Sequence, residues 1–466
     1  MGYNVEMIKT PLALLEIVEH LIEKGCRPVI VGGYIRDTLL GLASKDIDIE
    51  VFDVDDLEQL EQLLSSFGQI NSVGKSFGVL KLQLSGLDVD FSIARLEKKV
   101  AQGHRGFEVR IDSTLSFKEA ARRRDFTINA MGYDLKAKHL LDPYGGQDDL
   151  NARILRVVDV ETFVEDPLRL YRGVQFAGRF ALTVTADFKV LAHKMVAQKM
   201  LDELPKERVF EEIKKLLLKS PKPSIGFKLM QELKMLPYFV ELQALVGVPQ
   251  DPTYHPEGDV WTHTLMVVDE MTKLHSPDAK QNLLLSLAAL THDLGKANTT
   301  KMVDGRIRAI AHESTGIALC ETFMARLSDE KALIEALTPL IKHHLKPLQF
   351  YKQGAKRAAI LRLAKSVNIE QLVLLAKADF LGRSTPEAAH GVFEAGTWLL
   401  EQAKALDVST QAQPALLQGR DLIKIGLEPS AAFKEILDAA YEAQIEGVFG
   451  TYEEAMGWLK GRCKTI

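Results

Sequence analysis

The stretch VGGYIRDTLLGLASKDIDIEVF, residues 31–52, constrains the fold more than any other part of the chain. The apolar run PVIV ends in the glycine pair Gly32–Gly33, and after a short spacer IDIEVF resumes as a second strand. Glycines without Cβ let backbone N–H groups close on a triphosphate. Asp46 and Asp48 lie two apart in a strand, so their carboxylates face the same side. Two hard carboxylates on one face suit Mg²⁺ when substrate phosphates supply the remaining ligands. Phosphoryl transfer uses such a pair: one ion activates the attacking 3′-oxygen, and the other holds the triphosphate and the leaving pyrophosphate. Surface strands often carry a bare DxD. The glycine pair and Arg36–Asp37 at this distance make the combination far more specific.

Around this stretch, residues 12–24 set Leu14, Leu15, Val18, Leu21 and Ile22 at helical spacing, with Gly25 placed to end the helix. GVLKLQL (78–84) and LDVDFSIA (87–94) read as strands, and DDLEQLEQLLSSF reads as a helix ahead of them. Asp88 and Asp90 alternate on the second of these strands. From about residue 160 helical periodicity takes over and strand signals nearly vanish. The expected class is therefore α+β: a mixed sheet and helix head, then an all-α neck, a helical domain and a helical tail. A chain of 466 residues exceeds one ordinary core. QAQPA (411–415) reads as a linker, and no repeat or low-complexity tract occurs.

Three widely spaced cysteines, Cys26, Cys320 and Cys463, form neither a disulfide framework nor a zinc ribbon. No apolar run approaches the roughly 20 residues of a membrane span, and MGYNVEMIKT has no signal-peptide h-region. A cytoplasmic location is the expectation. The net charge of −5 does not by itself support nucleic-acid binding. Basic residues bunch at Arg122–Arg124, between Lys189 and Lys222, and between Lys346 and Lys365, though each bunch is equally readable as a solvated helix face.

With Gly32, Gly33, Arg36, Asp46 and Asp48 in place, the chain resembles the bacterial (class II) tRNA nucleotidyltransferase and poly(A) polymerase family. Further segments match in order. ARRRDFTINAM (121–131) resembles the family's RRD motif, which implies that Arg124 meets phosphates and Asp125 the ribose. DPYGGQDDLNARILR (142–156) fits a hinge motif through Asp142, Gly146 and Arg156. EDPLRLYRGVQFAGRF (165–180) is similar to the nucleotide-selecting EDxxR motif, which adds Asp166, Arg169 and Arg172 to the nucleotide site. PKERVFEEI (205–213) resembles a helix that braces the neck. The base-reading idea has a physical basis: Asp166 and Arg169 at i, i+3 share a helix face. An Asp accepts from the exocyclic amine of C or A, and an Arg donates to ring acceptors. U and G present a carbonyl in place of that amine and leave buried groups unpaired. Asp166 before Pro167 is also a good N-cap with proline at N1. SIARLEKKVAQGHRGFEVRID (92–112) matches a flexible loop that relatives need for the final A, with Arg95, Lys98 and Lys99 as its candidates.

A second constellation begins at HPEGDVWTHTL (255–265). LAALTHDLGK brings His292–Asp293 to the end of an apolar helical run, with Gly295 as a stop; adjacent His and Asp can bind one centre, and Asp can bridge to a second ion. His312 (AHESTG), the pair His343–His344 (IKHHLK) and Asp379 (LAKADFLGR) follow. A lone histidine is usually a satisfied core residue, but this grouping of the chain's twelve makes that explanation poor. The order resembles the HD phosphohydrolase superfamily, which implies metal ligation by His263, His292, Asp293 and Asp379, with His255, His312 and His343 as further candidates. Mixed imidazole and carboxylate ligands suit Ni²⁺, Co²⁺ or Mn²⁺ better than Mg²⁺ alone.

The two resemblances imply a head over 1–140, a helical neck and RNA-binding region over 141–245, an HD domain over 246–400 and a tail over 401–466. They imply addition of C, C and A to a tRNA 3′ end from CTP and ATP by a two-Mg²⁺ mechanism. They also imply phosphatase and 2′,3′-cyclic phosphodiesterase activity from the HD domain, in a monomer or homodimer. The alternatives are a poly(A) polymerase, an enzyme adding only CC or only A, and an HD phosphohydrolase with a degenerate RNA-binding head.

Overall fold

The first half of the chain is built on a mixed sheet whose strands run in the order β3-β4-β5-β2-β1-β8-β9. The computed structural model describes residues 8, 10–44, 46–71, 78–84, 87–99, 107–111 and 115–463. The strands are β1 (Arg27–Val31), β2 (Asp46–Phe52), β3 (Ile70–Asn71), β4 (Val79–Leu84), β5 (Leu87–Ile93), β6 (Arg95–Lys99), β7 (Phe107–Ile111), β8 (Gly132–Asp134) and β9 (His139–Leu141). Strands β2 and β5 run parallel, while the other neighbours in this sheet are antiparallel. Val29, Ile30 and Val31 of β1 are buried, as a central strand of continuous apolar residues should be. Strand β2 alternates at its start: Ile47 and Ile49 go inward while Asp46 and Asp48 stay exposed.

Helix α1 (Leu15–Glu23) buries Ile17, Val18 and Leu21, and the chain leaves it through Gly25 at φ +89°. Helix α2 (Gly33–Leu39) follows the glycine pair, and α3 (Leu57–Leu64) starts on Asp56, whose side chain accepts from Gln59 N–H. Helix α4 (Phe117–Ala121) starts with a capping box between Ser116 and Glu119. The sequence suggests a loop over 92–112. Instead, Arg95, Lys98 and Lys99 fall in β6, which pairs antiparallel with β7, Arg95 opposite Ile111 and Lys99 opposite Phe107.

Helices α5 (Gly146–Asn151), α6 (Val160–Phe163), α7 (Leu168–Phe180), α8 (Ala186–Ala197), α9 (Lys206–Lys219) and α10 (Pro223–Glu232) complete this unit, which ends at Leu236. Two short parallel strands, β10 (Ile154–Leu155) and β11 (Thr183–Val184), lie among them. Phe126 anchors the helices to the sheet. Its ring meets Phe163, Phe176 and Phe188 edge-on, with centroids 5.5, 5.9 and 5.6 Å away.

The second unit, Pro237–Ile466, is mainly helical. It contains α11 (Val240–Gln243), α12 (Val260–Thr272), α13 (Ala279–Thr291), α14 (Lys296–Thr299), α15 (His312–Ala325), α16 (Lys331–His343), α17 (Lys346–Gln353), α18 (Arg357–Ser366) and α19 (Ile369–Leu381). Helices α20 (Pro386–Ala389), α21 (Glu394–Ala405), α22 (Gly419–Lys424), α23 (Ala432–Ile445) and α24 (Tyr452–Cys463) follow. Every residue of α13 from Leu284 to Thr291 is buried, the mark of a central helix apolar all round. The expectation that strand signals nearly vanish after residue 160 misses, besides the short β11, a hairpin, β12 (Thr300–Val303) with β13 (Arg306–Ala309). Its Asp304–Gly305 turn has φ +50° and +70°, the two positive values that a two-residue type I′ connection needs. A satellite cluster around Leu417, Leu422, Phe449 and Leu459 holds the last helices together. Among the described residues no helix is long and apolar enough to cross a membrane.

Candidate active sites

In the first unit, the parallel register sets Asp46 beside Asp88 and Asp48 beside Asp90, four carboxylates lining one cavity of about 910 Å³. Lys81 Nζ lies 2.8 Å from Asp90 Oδ2 and offsets part of that charge. The surrounding protein withdraws enough water to raise the Asp48 carboxyl above its ordinary value; Arg124 opposes the rise, and Asp90 and Asp46 add to it. Glu50 continues the same strand face but is fully buried, with Oε1 2.8 Å from Arg123 Nη2. Gly32 has φ +74°, and a Cβ there would lie 2.9 Å from Arg124 Nη1. Its own N–H donates to Met131 O at 3.1 Å, so what Gly32 contributes is room for the Arg124 guanidinium rather than a free donor.

A second cavity of about 660 Å³ shares Asp46 and Asp48 and extends over Gly33 and Arg124 to Asp166, Arg169 and Arg172. The structure brings these expected residues together and gives several of them protein partners. Arg36 is buried, donates through Nε to Asp37 at 2.8 Å and through Nη1 to Asn129, and lies over Phe176 and Phe180. That makes it a brace between α2 and α7. Asp125 is 6% exposed and accepts from Phe126 N at 2.8 Å, Asn129 Nδ2 at 2.9 Å and Arg172 Nε at 2.7 Å. Burial alone would raise its carboxyl; Arg172, Asn129 and Arg169 outweigh burial and hold it below the ordinary value. Asp166, one residue before the N-cap Pro167, accepts at Oδ1 from Leu168 N at 3.2 Å, and its Oδ2 lies 3.3 Å from Arg208 Nη2. Arg169 donates to Thr162 O at 2.7 Å and Arg123 O at 2.6 Å. Asp142 accepts from Gly146 N and Gln147 N, and Arg156 pairs with Asp149, which builds the hinge turn from its own side chains.

In the second unit, α12, α13, α15, α16 and α19 bring His263, His292, Asp293, His312, His344 and Asp379 together, all buried. Each imidazole is anchored through Nδ1. His292 bonds Ala289 O at 2.8 Å, His312 bonds Ala309 O at 2.8 Å, His344 bonds Ile341 O at 2.6 Å, and His263 bonds Glu257 Oε1 at 2.8 Å. Those acceptors hold a proton on Nδ1, so in the neutral ring Nε2 carries the lone pair; against burial, Asp293 raises His292 and His312 above their ordinary value. The Nε2 atoms converge: His263 lies 3.1 Å from Asp379 Oδ1, His292 3.2 Å from Asp293 Oδ2, and His312 3.3 Å from Asp293 Oδ1. His312 Nε2 and His344 Nε2 are 3.2 Å apart. A proton on His312 donated to His344, or a cation shared by the two nitrogens, satisfies that approach. His292 Nε2 and both Asp293 oxygens have no hydrogen-bond partner, and Lys296 Nζ at 2.7 Å from Oδ2 approaches only as an ion pair. The donors fit a metal centre, and with His255 and Glu257 they fall into three groups, the first two sharing His263: His255, Glu257 and His263; His263, His292 and Asp379; and Asp293, His312 and His344.

Burial lowers His344 to about 3 and His255 to about 4, so both rings are neutral at neutral pH, the form an imidazole needs to bind a metal. Asp293 and Asp379 are held well below the ordinary carboxylate range. Burial works against this, and His292 with Lys296, and Arg383 with His263, outweigh it. Of the histidine pair, His344 rather than His343 enters the cluster, because Ile341 and His344 face inward at the end of α16 while His343 is only half-buried. His255 stands beside the cluster, its Nδ1 2.9 Å from Glu257 Oε1 and its ring 4.6 Å from that of His263. Glu257 is the main residue missed from sequence. Its only signal was its place two residues after His255 and six before His263. Lys296 and Arg383, each closing a Leu-Gly-Lys/Arg turn, also line the cavity of about 320 Å³ above the cluster.

Residues 29–156 match the family described as "Poly A polymerase head domain", and residues 189–245 match "Probable RNA and SrmB- binding site of polymerase A". The sheet and its carboxylates therefore define a nucleotidyltransferase head. A relative from Xanthomonas euvesicatoria pv. vesicatoria, named multifunctional CCA protein, is 34% identical over 420 residues, covering 87% of this chain and 98% of its own. One of the same name from Stenotrophomonas maltophilia is 38% identical over 315 residues, covering 66% and 74%. The chain belongs to the multifunctional CCA protein family. Among solved structures, a CCA-adding enzyme in complex with CTP aligns with a TM-score of 0.62 at 21% identity, covering 98% of this chain and 97% of that one. The Thermotoga maritima CCA-adding enzyme complexed with tRNA aligns at 0.59 and 19%, covering 99% of each. At these identities the likeness is one of fold.

Proposed function

We propose that the first unit adds C, C and A to the 3′ end of tRNA from CTP and ATP, with release of pyrophosphate, and that Asp46 and Asp48 are its catalytic carboxylates. The observation that carries this reading is the meeting of Asp46, Asp48 and Arg124 over Gly32 in a cavity that runs on to Asp166, Arg169 and Arg172. Four carboxylates on two adjacent strands favour a divalent cation, and Asp48, raised chiefly by burial and further by Asp90 and Asp46, is among them. Asp46 and Asp48 would hold Mg²⁺, which activates the 3′-oxygen and stabilises the leaving pyrophosphate. Arg124 supplies positive charge to the triphosphate. Arg36 and Asp125 act from behind: Arg36 fixes α2 against α7, and Asp125 aims Arg172. Asp166 and Arg169 read the base. Arg169 donates to the Thr162 and Arg123 carbonyls, which fixes the plane of its guanidinium in the cavity wall. Arg95, Lys98 and Lys99, on the β6–β7 ribbon, serve the final A.

The second unit, in this reading, is a metal-dependent phosphatase and 2′,3′-cyclic phosphodiesterase. His263, His292, Asp293 and Asp379 would hold a transition metal, with His312 and His344 joining through Asp293. Such an ion lowers the pKa of bound water and polarises a phosphate ester. Lys296 and Arg383 in the cavity wall neutralise the ester's charge, and Glu257 holds His263 in its ligating tautomer.

Primer extension tests the first reading, with tRNA transcripts lacking CCA, ending in C or ending in CC, offered CTP and ATP singly and together. Ordered addition of C, C and A that then stops is expected, and Asp46→Ala should abolish it while leaving phosphate-ester hydrolysis intact. Processive addition of A regardless of the tRNA body would make the enzyme a poly(A) polymerase instead. Hydrolysis of nucleoside 2′,3′-cyclic phosphates, assayed with Ni²⁺, Co²⁺, Mn²⁺ and Mg²⁺ in turn, tests the second reading. Inactivity with all four ions would refute it.

A further inference from the structure

Helix α7 sets Leu168, Arg172, Gln175 and Arg179 on one stripe, at i, i+4, i+7 and i+11, and all four line the cavity that reaches Gly33 and Asp48. Two of them have fixed partners: Arg172 pairs with Asp125 at 2.7 Å, and Arg179 with Asp37 at 3.1 Å. Gln175, between them, has none. It is 2% exposed, and its Nε2 is buried without a hydrogen-bond partner. A buried donor left unpaired costs free energy that an apolar side chain of the same shape does not. Packing alone therefore favours Met or Leu here, and the fold gives no reason for the amide. The charge around it is positive. Asp37 is shared between Arg36 and Arg179, and Lys219, also in the lining, forms no ion pair among the described residues. Helix α9 reaches this end of α7 at Gly178, where a Cβ would lie 2.5 Å from Leu216 Cδ1 and 3.1 Å from the hydroxyl of Ser220, the residue after Lys219.

A donor in a positively charged cavity suits an anionic oxygen; a base edge needs donors and acceptors in register, and a ribose hydroxyl gains little from cations. Arg169 and Gln175 are six residues apart on α7, about 9 Å of helical rise, a distance that one nucleoside triphosphate spans from base to phosphates. We propose that Gln175 is a further nucleotide-binding residue, whose Nε2–H donates to a phosphate oxygen of the incoming triphosphate. Binding then pairs a donor that the free protein leaves unsatisfied. CTP and ATP carry the same phosphates, so the contact strengthens both alike and takes no part in choosing between them. The inference rests on the nucleotide-adding reading of the first unit and adds to it a residue outside the base-reading pair.

The test uses the full-length chain with tRNA transcripts lacking CCA, for CTP, and ending in CC, for ATP. Gln175→Met keeps the shape and removes the donor. KM for CTP and for ATP should each rise about tenfold or more, the loss of one hydrogen bond to a charged group, while KM for tRNA stays as in the parent. The midpoint of thermal unfolding, followed by circular dichroism, should not fall, because the variant buries no unpaired donor; an amide that served only the fold would lower it on removal. Gln175→Glu, which sets a carboxylate against the phosphate, should raise both nucleotide KM values further. Calorimetry with inorganic tripolyphosphate gives a readout apart from turnover, and Gln175→Met should weaken that binding about tenfold as well. Unchanged nucleotide KM values, a lowered midpoint, a rise for only one of the two nucleotides, or a rise confined to tRNA overturns the contact. If the parent adds no nucleotide, the reading of the first unit fails. Tripolyphosphate then decides the contact alone: weaker binding by the variant upholds it, and equal binding overturns it.

Discussion

Replacing Asp125 with alanine separates two roles for this residue, ribose ligand and internal brace. Its carboxylate accepts three protein hydrogen bonds, which fill three of about four acceptor positions. Each bond from Phe126 N or Asn129 Nδ2 to a buried charged acceptor contributes about 1.5 kcal/mol. The pair with Arg172, whose side chain is 34% exposed, is screened and contributes about 1 kcal/mol. Asp125→Ala should thus destabilise the first unit by about 4 kcal/mol, less whatever water recovers, so about 3 kcal/mol remains. All three tryptophans, Trp261, Trp398 and Trp458, lie in the second unit, so fluorescence does not report this loss. Hydrogen exchange of peptides covering Phe126–Met131 does, and should accelerate about a hundredfold in the globally opening amides. The Asp125 carboxyl lies below its ordinary value in the folded state, so its contribution is present above the unfolded pKa of about 3.9. It is lost as pH falls through the folded value, and the gap between parent and variant should close on acidification. Unchanged exchange with a raised KM for both nucleotides would refute the bracing argument and restore the ribose role.

Gly295→Ala would set a Cβ 2.0 Å from His312 O and 2.8 Å from Gly316 N, both backbone atoms, so α15 must move and carry His312 with it. Hydrolysis by the second unit should fall by more than tenfold while nucleotide addition persists, and full hydrolytic activity would show the close approach to be unimportant. Glu257→Gln removes the charge that receives Nδ1–H from both His255 and His263, so metal affinity measured by calorimetry should fall about 10- to 100-fold; unaltered affinity would remove Glu257 from the site. Burial pushes the Cys320 thiol from 9.0 up to about 12, so it stays protonated at pH 8 and should resist iodoacetamide until the protein is unfolded. Its contribution to stability is whole below the unfolded value and fades as pH climbs toward the folded one. Labelling of the folded protein at pH 8, mapped by mass spectrometry, would contradict that placement.

The carboxylates of β2 were legible because strand alternation leaves only one way to turn Asp46 and Asp48, and a glycine pair marks where the strand must end. The partners of these residues were not. Nothing near Arg36 in sequence announces that Asn129, Phe176 and Phe180 will enclose it, since those contacts exist only once α7 packs beside α2. Asp166 does not cap the helix as its place before Pro167 suggests, since Pro167 itself holds the N-cap position; its Oδ1 accepts from Leu168 N and its Oδ2 lies by Arg208 in the cavity wall. In the second unit the choice between His343 and His344 depended on helix phase, and Ile341, three residues before His344 and likewise buried, held that information. The hairpin at 300–309 was missed although VDGR is a strong two-residue turn signal; its strands are too short, and too charged on one side, to stand out against the surrounding helical period.

Each cluster takes all of its side chains from one unit, residues before Pro237 for the carboxylates of the sheet and residues after it for the histidines. That partition has a genetic consequence. Two alleles, one damaged at Asp46 and the other at Asp293, leave opposite halves intact, so a cell carrying both should recover both chemistries without recombination between them. A lesion at Phe126 or Leu287, in the core of either half, should be rescued the same way. The locus would then behave in complementation tests as two cistrons read as one.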